Sequence, residues 1–205
     1  MKNIYDKYII GISFGFHDSA VALIQNGVVL NAVEEERFTG IKHDNNFPIN
    51  SINWILKNNN ITGKDISAVC YYENPTLKYD RDKKSYWKYF WKNPFNFPKK
   101  KSELTQFDFI FPNAKVFIGN HHLSHLAYSY FTSDFEESAI LSVDGVGEWD
   151  TTVMAYGKDN TIERKGEVIY PHSLGLLYST ITAFLGFKPN EGEYKVMGLA
   201  PYGTH

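Results

Sequence analysis

Cysteine is nearly absent from this 205-residue chain, in which Cys70 stands alone. No disulfide can form within the chain, and the apolar neighbours of Cys70 predict a buried thiol. Long hydrophobic runs are missing too, because no stretch approaches the ~20 apolar residues that cross a bilayer. The first residues also lack the apolar core of a secretory signal. We therefore expect a cytoplasmic protein with no membrane partner.

An excess of charge of one sign is also missing. The chain has 21 Lys and Arg against 23 Asp and Glu, a net charge of −2, so its surface as a whole carries no signature of nucleic-acid binding. Basic and aromatic residues do concentrate in an insertion at about 76–107. Two interpretations of it stay open: an amphipathic helix and loop packed on the main sheet, or a platform for an anionic or ring-bearing substrate.

Apolar runs and turn signals predict an α/β fold, with a mixed β-sheet and flanking helices. Three antiparallel strands are expected at the start of the chain, the last two joined by an Asn26-Gly27 turn. The predicted strands are 8–14, 20–24, 28–33, 65–72, 114–118, 139–144, 152–156 and 163–170. The predicted helices are about 49–57, 121–132 and 174–185.

The spacing of two histidines predicts a metal centre. His121 and His125 are one helical turn apart, which places both imidazoles on one helix face with Cβ atoms about 5–6 Å apart. Asp144 ends an apolar run that predicts a buried strand. Two imidazoles and a strand-end carboxylate can share one divalent ion, and iron, zinc or manganese suits that donor set. Gly145 and Gly147 follow at once and leave a space of phosphate size.

A second candidate site lies in the turn between the first two strands. Gly15 permits a positive φ there, and His17, Asp18 and Ser19 follow with a base, an acid and a hydroxyl. This set suits contacts to a nucleotide phosphate or to a substrate hydroxyl. A hairpin in which Asp18 and Ser19 bond to their own backbone explains the same residues equally well, so both interpretations stay open.

Residues 34–36 are three consecutive glutamates at the end of the third predicted strand. Alternation places Glu35 on the face opposite its two neighbours. One face therefore meets the core or a cleft, where an unpaired carboxylate is costly. We expect a charge network at a cleft, in which Arg37, Lys42 or His43 neutralises that carboxylate. A solvated strand edge is the alternative that stays open.

Several segments together resemble the NodU-type carbamoyltransferase family. They are Gly11–Ser13, Phe16–Ala20, Glu34–Thr39, Lys42–Asp44, His121–Ala127, Val143–Glu148, His172–Tyr178 and Glu193–Gly203. The resemblance implies a ribonuclease H-like, actin-like ATPase lobe. It also implies that a carbamoyl group passes from carbamoyl phosphate, through a carbamoyl adenylate made with ATP, to a hydroxyl of a small molecule. Carbamoyl phosphate, ATP and a hydroxyl-bearing acceptor are thus the implied partners.

The resemblance assigns roles to the histidine-bearing segment. His121, His125 and Asp144 match the family's metal ligands, and the ion there is usually iron(II). In that position the ion would act as a Lewis acid. Gly145 and Gly147 would present backbone N–H groups to the phosphate of the adenylate.

Further residues are implied to contact the adenylate or the acceptor. We expect Ser19 and Glu148 to help bind the cofactor. His17, Asp18 and Lys42 are the candidates for catalytic contacts.

Family members are longer than this chain. We therefore expect residues 1–205 to be the N-terminal lobe of the transfer domain, a fragment inactive by itself, whose exposed apolar face favours homodimers. Two alternatives stay open: an actin-fold phosphotransferase resembling sugar kinases, and a non-catalytic binding fragment. A metallopeptidase is disfavoured because that class needs Glu directly after the first histidine, where this chain has His122.

Overall fold

The computed structural model describes residues 7–89 and 104–203, without the side chains of residues 87–89. The chain divides into two compact units. The first consists of Met1–Asn74 and Lys99–Gly119, and the second of Pro75–Pro98 and Asn120–His205. Residues 90–103 of the predicted insertion lie outside the described residues, so a substrate platform in this segment stays a prediction.

The strands are β1 (Tyr8–Ser13), β2 (Ala20–Gln25), β3 (Val28–Glu34), β4 (Ile66–Tyr71), β5 (Lys115–Ile118), β6 (Glu137–Gly147), β7 (Asp150–Lys158) and β8 (Thr161–Ile169). The α-helices are α1 (Glu36–Thr39), α2 (Ile49–Asn58), α3 (Pro75–Tyr89), α4 (Thr105–Ile110), α5 (His121–Phe131), α6 (Leu174–Phe184) and α7 (Glu193–Leu199).

A five-stranded mixed sheet forms the first unit, in the order β3-β2-β1-β4-β5. β2 lies antiparallel to β1 and β3, whereas β4 lies parallel to β1 and β5. Asn26 and Gly27 have φ of 54° and 77°, the backbone geometry of a tight turn between twisted strands. The predicted triplet of antiparallel strands and the predicted mixed sheet are therefore confirmed.

Alternate strand residues and apolar residues of α2 and α4 form the core of this unit. Its buried members are Ile10, Ile12, Phe14, Val21, Leu23, Ile52, Ile55, Ile66, Val69, Tyr71, Phe107 and Phe111. Val69 and Tyr71 face this core from β4, and the pleat turns Cys70 to the opposite face. Cys70 is exposed there, so the prediction of a buried thiol was wrong.

Glu35 is the buried member of the glutamate triplet, with 2% of its surface exposed. Its carboxylate accepts hydrogen bonds from the backbone N–H groups of Asn50 and Ser51, and from both of their side chains, at 2.6–3.1 Å. These groups belong to the first turn of α2, where Pro48 has no side-chain cap to offer. The expected neutralisation by Arg37, Lys42 or His43 was therefore wrong, because helix N–H dipoles stabilise this charge.

Replacing Glu35 should weaken the first unit more than replacing its neighbour. We expect Glu35→Gln to lower the free energy of unfolding by about 2–4 kcal/mol, because a neutral amide leaves buried donors with a poorer acceptor. Glu34→Gln is the matched control: Glu34 is exposed beside Arg37, and its loss should cost under about 0.5 kcal/mol. Urea unfolding of both variants measures the difference, and equal midpoints would contradict this account of Glu35.

The second unit contains a separate antiparallel sheet in the order β6-β7-β8. Leu126 and Tyr130 of α5 pack on Ile140 of β6 and on Val153 and Ala155 of β7. The predicted second set of strands is thus confirmed. The two units together have the α/β class that the sequence predicted, a mixed sheet with flanking helices.

Large apolar side chains stay exposed on α6 and α7, among them Leu174, Leu177, Phe184, Met197 and Leu199. The second unit therefore carries exposed apolar surface, and homodimer formation through it stays a prediction. None of the helices among the described residues is both long and apolar enough to cross a membrane.

Candidate functional site

Helix α5 begins with a capped first turn that fixes the direction of its histidines. The Asn120 side-chain oxygen accepts from the Leu123 N–H at 3.0 Å, the usual N-cap bond. The Asn120 amide donates to Glu148 Oε2 at 2.5 Å, and the His121 N–H donates to Glu148 Oε1 at 3.3 Å. The buried Glu148 carboxylate thus serves two donors at the positive end of the helix.

Three side chains converge where α5 begins and β6 ends. His121 Nε2 lies 2.9 Å from Asp144 Oδ2 and 3.1 Å from His125 Nε2. One donor atom from each of the three residues lies within 4.8 Å of the other two. Donor atoms at these separations can surround one cation with bonds of about 2.0–2.2 Å. The group is the one set in the described part of the chain whose geometry suits a metal ion.

The protonation states of these groups also suit a metal ion. Burial alone would raise the pKa of Asp144, but the hydrogen bond and charge of His121 bring it down to about 2. Burial lowers the pKa of His125, and neighbouring His121 lowers it further. Near neutral pH the site offers an ionised carboxylate and a neutral imidazole, the forms that bind a metal. The donor set therefore fits the predicted divalent ion, while the choice of iron(II) stays a prediction.

Gly147 makes room for His121. A Cβ on Gly147 would lie 2.1 Å from Cδ2 and 2.4 Å from Cγ of the His121 ring. These atoms form the body of the imidazole, so a methyl group would push the ring away from Asp144. Close packing against His121 explains why this position is glycine.

The start of α6 holds the backbone at Asp144. Ser173 Oγ lies 3.2 Å from the carbonyl oxygen of Asp144 and 2.7 Å from that of Gly145, and it accepts from the Leu176 N–H. A Cβ on Gly175 would lie 2.6 Å from the Asp144 carbonyl oxygen. The pairing of β6 with β7 shifts register in this segment, and these contacts keep the irregular strand end in place.

Arg81 of α3 supports the loop after Asp144. Its buried guanidinium donates through Nη1 to the carbonyl oxygen of Glu148 at 2.9 Å and to that of Val146 at 3.3 Å. Nε and Nη2 donate to the Asp82 carboxylate at 3.1 and 2.7 Å. Although Arg81 belongs to the basic insertion, its charge is used within the second unit and is not displayed to an external anion.

The second candidate site lies in the first unit, where the turn before β2 is joined to residues 43–45. The Gly15 N–H donates to the Asn45 carbonyl at 2.9 Å, and the Ser19 N–H donates to the Asp44 carbonyl at 2.7 Å. Segments about 25 residues apart in sequence thus lie side by side.

A carboxylate shared by two imidazoles occupies this place. Asp18 Oδ2 lies 2.7 Å from His17 Nδ1, and Asp18 Oδ1 lies 2.9 Å from His43 Nδ1. Partial burial would raise the pKa of Asp18, but the hydrogen bonds from His43 and His17 bring it below its ordinary value. The ring of His17 also lies against that of Phe16, with centroids 4.7 Å apart and the ring planes tilted by 51°.

The predicted site residues fall into two groups, one in each unit. In the second unit His121, His125 and Asp144 meet, with Gly145, Gly147 and Glu148 beside them. Glu148 faces the start of α5 and Gly147 contacts His121, so cofactor contacts by these residues stay predictions.

In the first unit His17 and Asp18 are hydrogen-bonded to each other. Ser19 is fully buried, and Lys42 is exposed next to His43. The interpretation of a self-bonded hairpin is insufficient, because the partners of this turn come from residues 43–45. The catalytic and binding roles of His17, Asp18, Ser19 and Lys42 stay predictions.

Sequence reasoning missed several residues that support these sites, among them His43, Asn120 and Gly175. It considered His43 only as a partner for a glutamate, whereas His43 lies on Asp18. Asn120 could have been found, since Asn directly before a helix is a common cap. Gly175 had no local signal, because its need arises from contact with a distant strand end.

The chain matches the family model described as carbamoyltransferase N-terminus over residues 8–205, and it belongs to that family. The Synechocystis protein named "Uncharacterized protein sll1178" is 40% identical over 213 residues, which cover 96% of this chain and 35% of that protein. "Nodulation protein NolNO" of Sinorhizobium fredii is 34% identical over 195 residues, covering 91% and 28%. "Uncharacterized protein MJ1051" of Methanocaldococcus jannaschii is 31% identical over 194 residues, covering 95% and 33%.

The chain spans about a third of the length of the curated relatives it matches. Membership of the family confirms the resemblance that the sequence motifs indicated. The segments that carry the resemblance include every residue of the three-ligand cluster.

Adding one methyl group at Gly147 should weaken metal binding. We expect Gly147→Ala to lower the affinity for Zn²⁺ roughly 10–100-fold, the usual cost of disturbing the support of a metal ligand. Gly198→Ala is the matched control, because a Cβ there meets nothing within 4 Å. Isothermal titration with Zn²⁺ measures both variants, and unchanged affinity in Gly147→Ala would refute the steric argument.

Proposed function

We propose that this chain works in an ATP-dependent O-carbamoyltransferase reaction. A carbamoyl group derived from carbamoyl phosphate is activated as carbamoyl adenylate and passes to a hydroxyl of a small molecule. Membership of the carbamoyltransferase N-terminus family supports the reaction class. The single observation that supports a reactive centre within this chain is the convergence of His121, His125 and Asp144.

His121, His125 and Asp144 would hold a divalent ion, iron(II) by resemblance. When bound, such an ion supplies Lewis-acid chemistry, neutralising phosphate charge and polarising a carbonyl group. The chain's own residues set the geometry for it. The Gly145 N–H donates to Asp144 Oδ1 at 2.6 Å, which fixes one carboxylate oxygen and leaves Oδ2 on the side of the imidazoles.

Binding of the adenylate is proposed to use the segment after Asp144. The backbone at Gly145 and Gly147 is suited to close approach by a phosphate. Glu148 keeps the start of α5 in place for this purpose. In the first unit, the exposed ammonium of Lys42 can bind an anionic group as a point charge. Ser19 is fully buried, so a contact between its hydroxyl and the adenylate would need the turn before β2 to open.

The transfer step needs a proton acceptor. As the acceptor hydroxyl oxygen attacks the carbamoyl carbon, a C–O bond forms, the bond to the adenylate oxygen breaks, and AMP leaves. The hydroxyl proton goes to a base, and we assign this role to His17 Nε2. Asp18 lies on the other nitrogen of the ring, an arrangement that orients a histidine base.

Removing one ligand should abolish both metal binding and transfer. We expect His121→Ala to lose stoichiometric Zn²⁺ or Fe²⁺ and at least ~100-fold in transfer rate, the scale of one strong electrostatic contribution. Metal content is measured by elemental analysis. Transfer is measured by mass spectrometry on the full-length protein, because residues 1–205 are expected to be inactive alone, as O-carbamoylated product formed from synthetic carbamoyl adenylate and a panel of sugars.

The control for this experiment is His172→Ala, which removes an exposed histidine of the same unit. It should keep both metal and transfer. If His121→Ala retained a full equivalent of metal, the ligand assignment would be lost. If the unaltered full-length protein bound metal but carbamoylated no member of the panel and released no AMP, the proposed reaction would be wrong.

Removing the proposed base should separate transfer from metal binding. We expect His17→Gln to slow transfer roughly 10²–10⁴-fold, the usual contribution of a positioned acid or base. Its metal content should stay that of the unaltered protein, because His17 is not among the three ligands. Equal transfer rates in the two proteins would remove His17 from the mechanism.

A further inference from the structure

The His17–Asp18–His43 group contains a second imidazole, which a single histidine base oriented by a carboxylate does not require. Asp18 contacts both rings, one with each carboxylate oxygen. Because the two oxygens are used separately, rotation of the carboxyl group would break both contacts at once. His43 therefore restrains the side chain that restrains His17.

The contacts determine where the imidazole protons sit. An ionised carboxylate accepts hydrogen bonds and donates none. A ring nitrogen 2.7 or 2.9 Å from it must therefore carry the proton, so Nδ1 is protonated in both His17 and His43. In a neutral ring the Nε2 atom then has a free lone pair.

The two ends of this group differ in exposure. The His17 side chain is 53% exposed, so its Nε2 is accessible to a substrate hydroxyl. His43 Nε2 is buried and has no hydrogen-bond partner within the described residues, and the same is true of Ser19 Oγ. A buried lone pair of this kind is normally satisfied by a donor from water or a ligand.

Backbone strain accompanies the arrangement. Asp18 has φ of 49° and His43 has φ of 57°, values that non-glycine residues rarely adopt, although Asp and His are among those that tolerate them best. Such conformations persist where the surroundings enforce them. Here the backbone bonds of Gly15 and Ser19 to the neighbouring loop do so.

We infer that Asp18 holds both His17 and His43 as Nδ1–H tautomers, and that His43 is thereby a positioning residue for the proton acceptor His17. The inference rests on the proposed function for the role of His17 as a base. The hydrogen-bonded group itself does not depend on that role. His43 acts only through Asp18 and needs no contact with the reacting atoms.

The test reads the tautomers directly by ¹H–¹⁵N correlation of ¹⁵N-histidine-labelled protein at about pH 8, above the ordinary titration range of imidazole. The unaltered protein should show His17 and His43 as single Nδ1–H forms. In Asp18→Asn the Nδ1–H to Nε2–H ratio of His17 should fall about tenfold or more, the equivalent of one charge-assisted bond. Signals missing in His17→Gln and His43→Leu assign the two rings.

Variants of His43 test its positioning role. His43→Leu removes the donor to Asp18, and we expect the His17 tautomer preference to weaken and kcat for transfer to fall about tenfold at unchanged KM. His43→Asn restores an N–H donor near the position of Nδ1 and tolerates the positive φ, so it should recover most of both. His172→Gln is the matched control at an exposed histidine and should change neither.

The outcomes separate this inference from the proposed function. A mixed tautomer of His17 in the unaltered protein would overturn the inference, as would a His43→Leu protein with intact tautomer and kcat. If the tautomers follow the expected pattern but the unaltered full-length protein transfers no carbamoyl group, the proposed function fails and the hydrogen-bonded group stands. Should His43→Leu fail to fold, His43→Gly, which also removes the donor and tolerates the positive φ of 57°, takes its place with the same expected results.

Discussion

The contact of the His121 ring with Gly147 is the constraint on which the metal-ligand cluster depends. The ring reaches Asp144 Oδ2 only because no Cβ stands beside it. Helix geometry can set the distance between His121 and His125, but it cannot bring a strand-end carboxylate to them. Asp144 reaches the histidines where the pairing of β6 with β7 becomes irregular, between Val143 and Gly147. Hydrogen bonds from Ser173 at the start of α6 and from Arg81 hold this irregular segment.

In each unit a glutamate carboxylate accepts hydrogen bonds from the first residues of a helix. Glu35 follows β3 and accepts four hydrogen bonds from the first turn of α2, and Glu148 follows β6 and accepts from Asn120 and His121 at the start of α5. In both, a buried carboxylate just after a strand fixes a helix that lies distant in sequence. Backbone N–H groups at the helix start contribute to stabilising the charge in both places.

The sequence pattern alone predicted those parts of the fold that are determined by interactions between residues close in sequence. The Asn26-Gly27 turn, the helix following Pro48 and the one-turn spacing of His121 and His125 follow from propensity and periodicity. The prediction of a buried Cys70 was wrong because apolar neighbours in sequence do not reveal which face of a strand is covered. The roles of His43 and Gly175 were not predicted for a related reason. Their partners, Asp18 and the Asp144 carbonyl, come close to them only in the tertiary structure.

Positive φ values occur at both candidate sites as well as in ordinary turns. Asp18, His43 and Glu148 all have positive φ, and their side chains make the hydrogen bonds described at the two candidate sites. If these residues adopted negative φ, the backbone would be less strained, but the side chains would no longer point at their present partners. The free energy that holds them comes from ordinary elements nearby, the backbone bonds of the turn before β2 and the capped start of α5. The hydrogen bonds of the surrounding elements thus offset the free-energy cost of an unfavourable backbone conformation at the residues where chemistry is proposed.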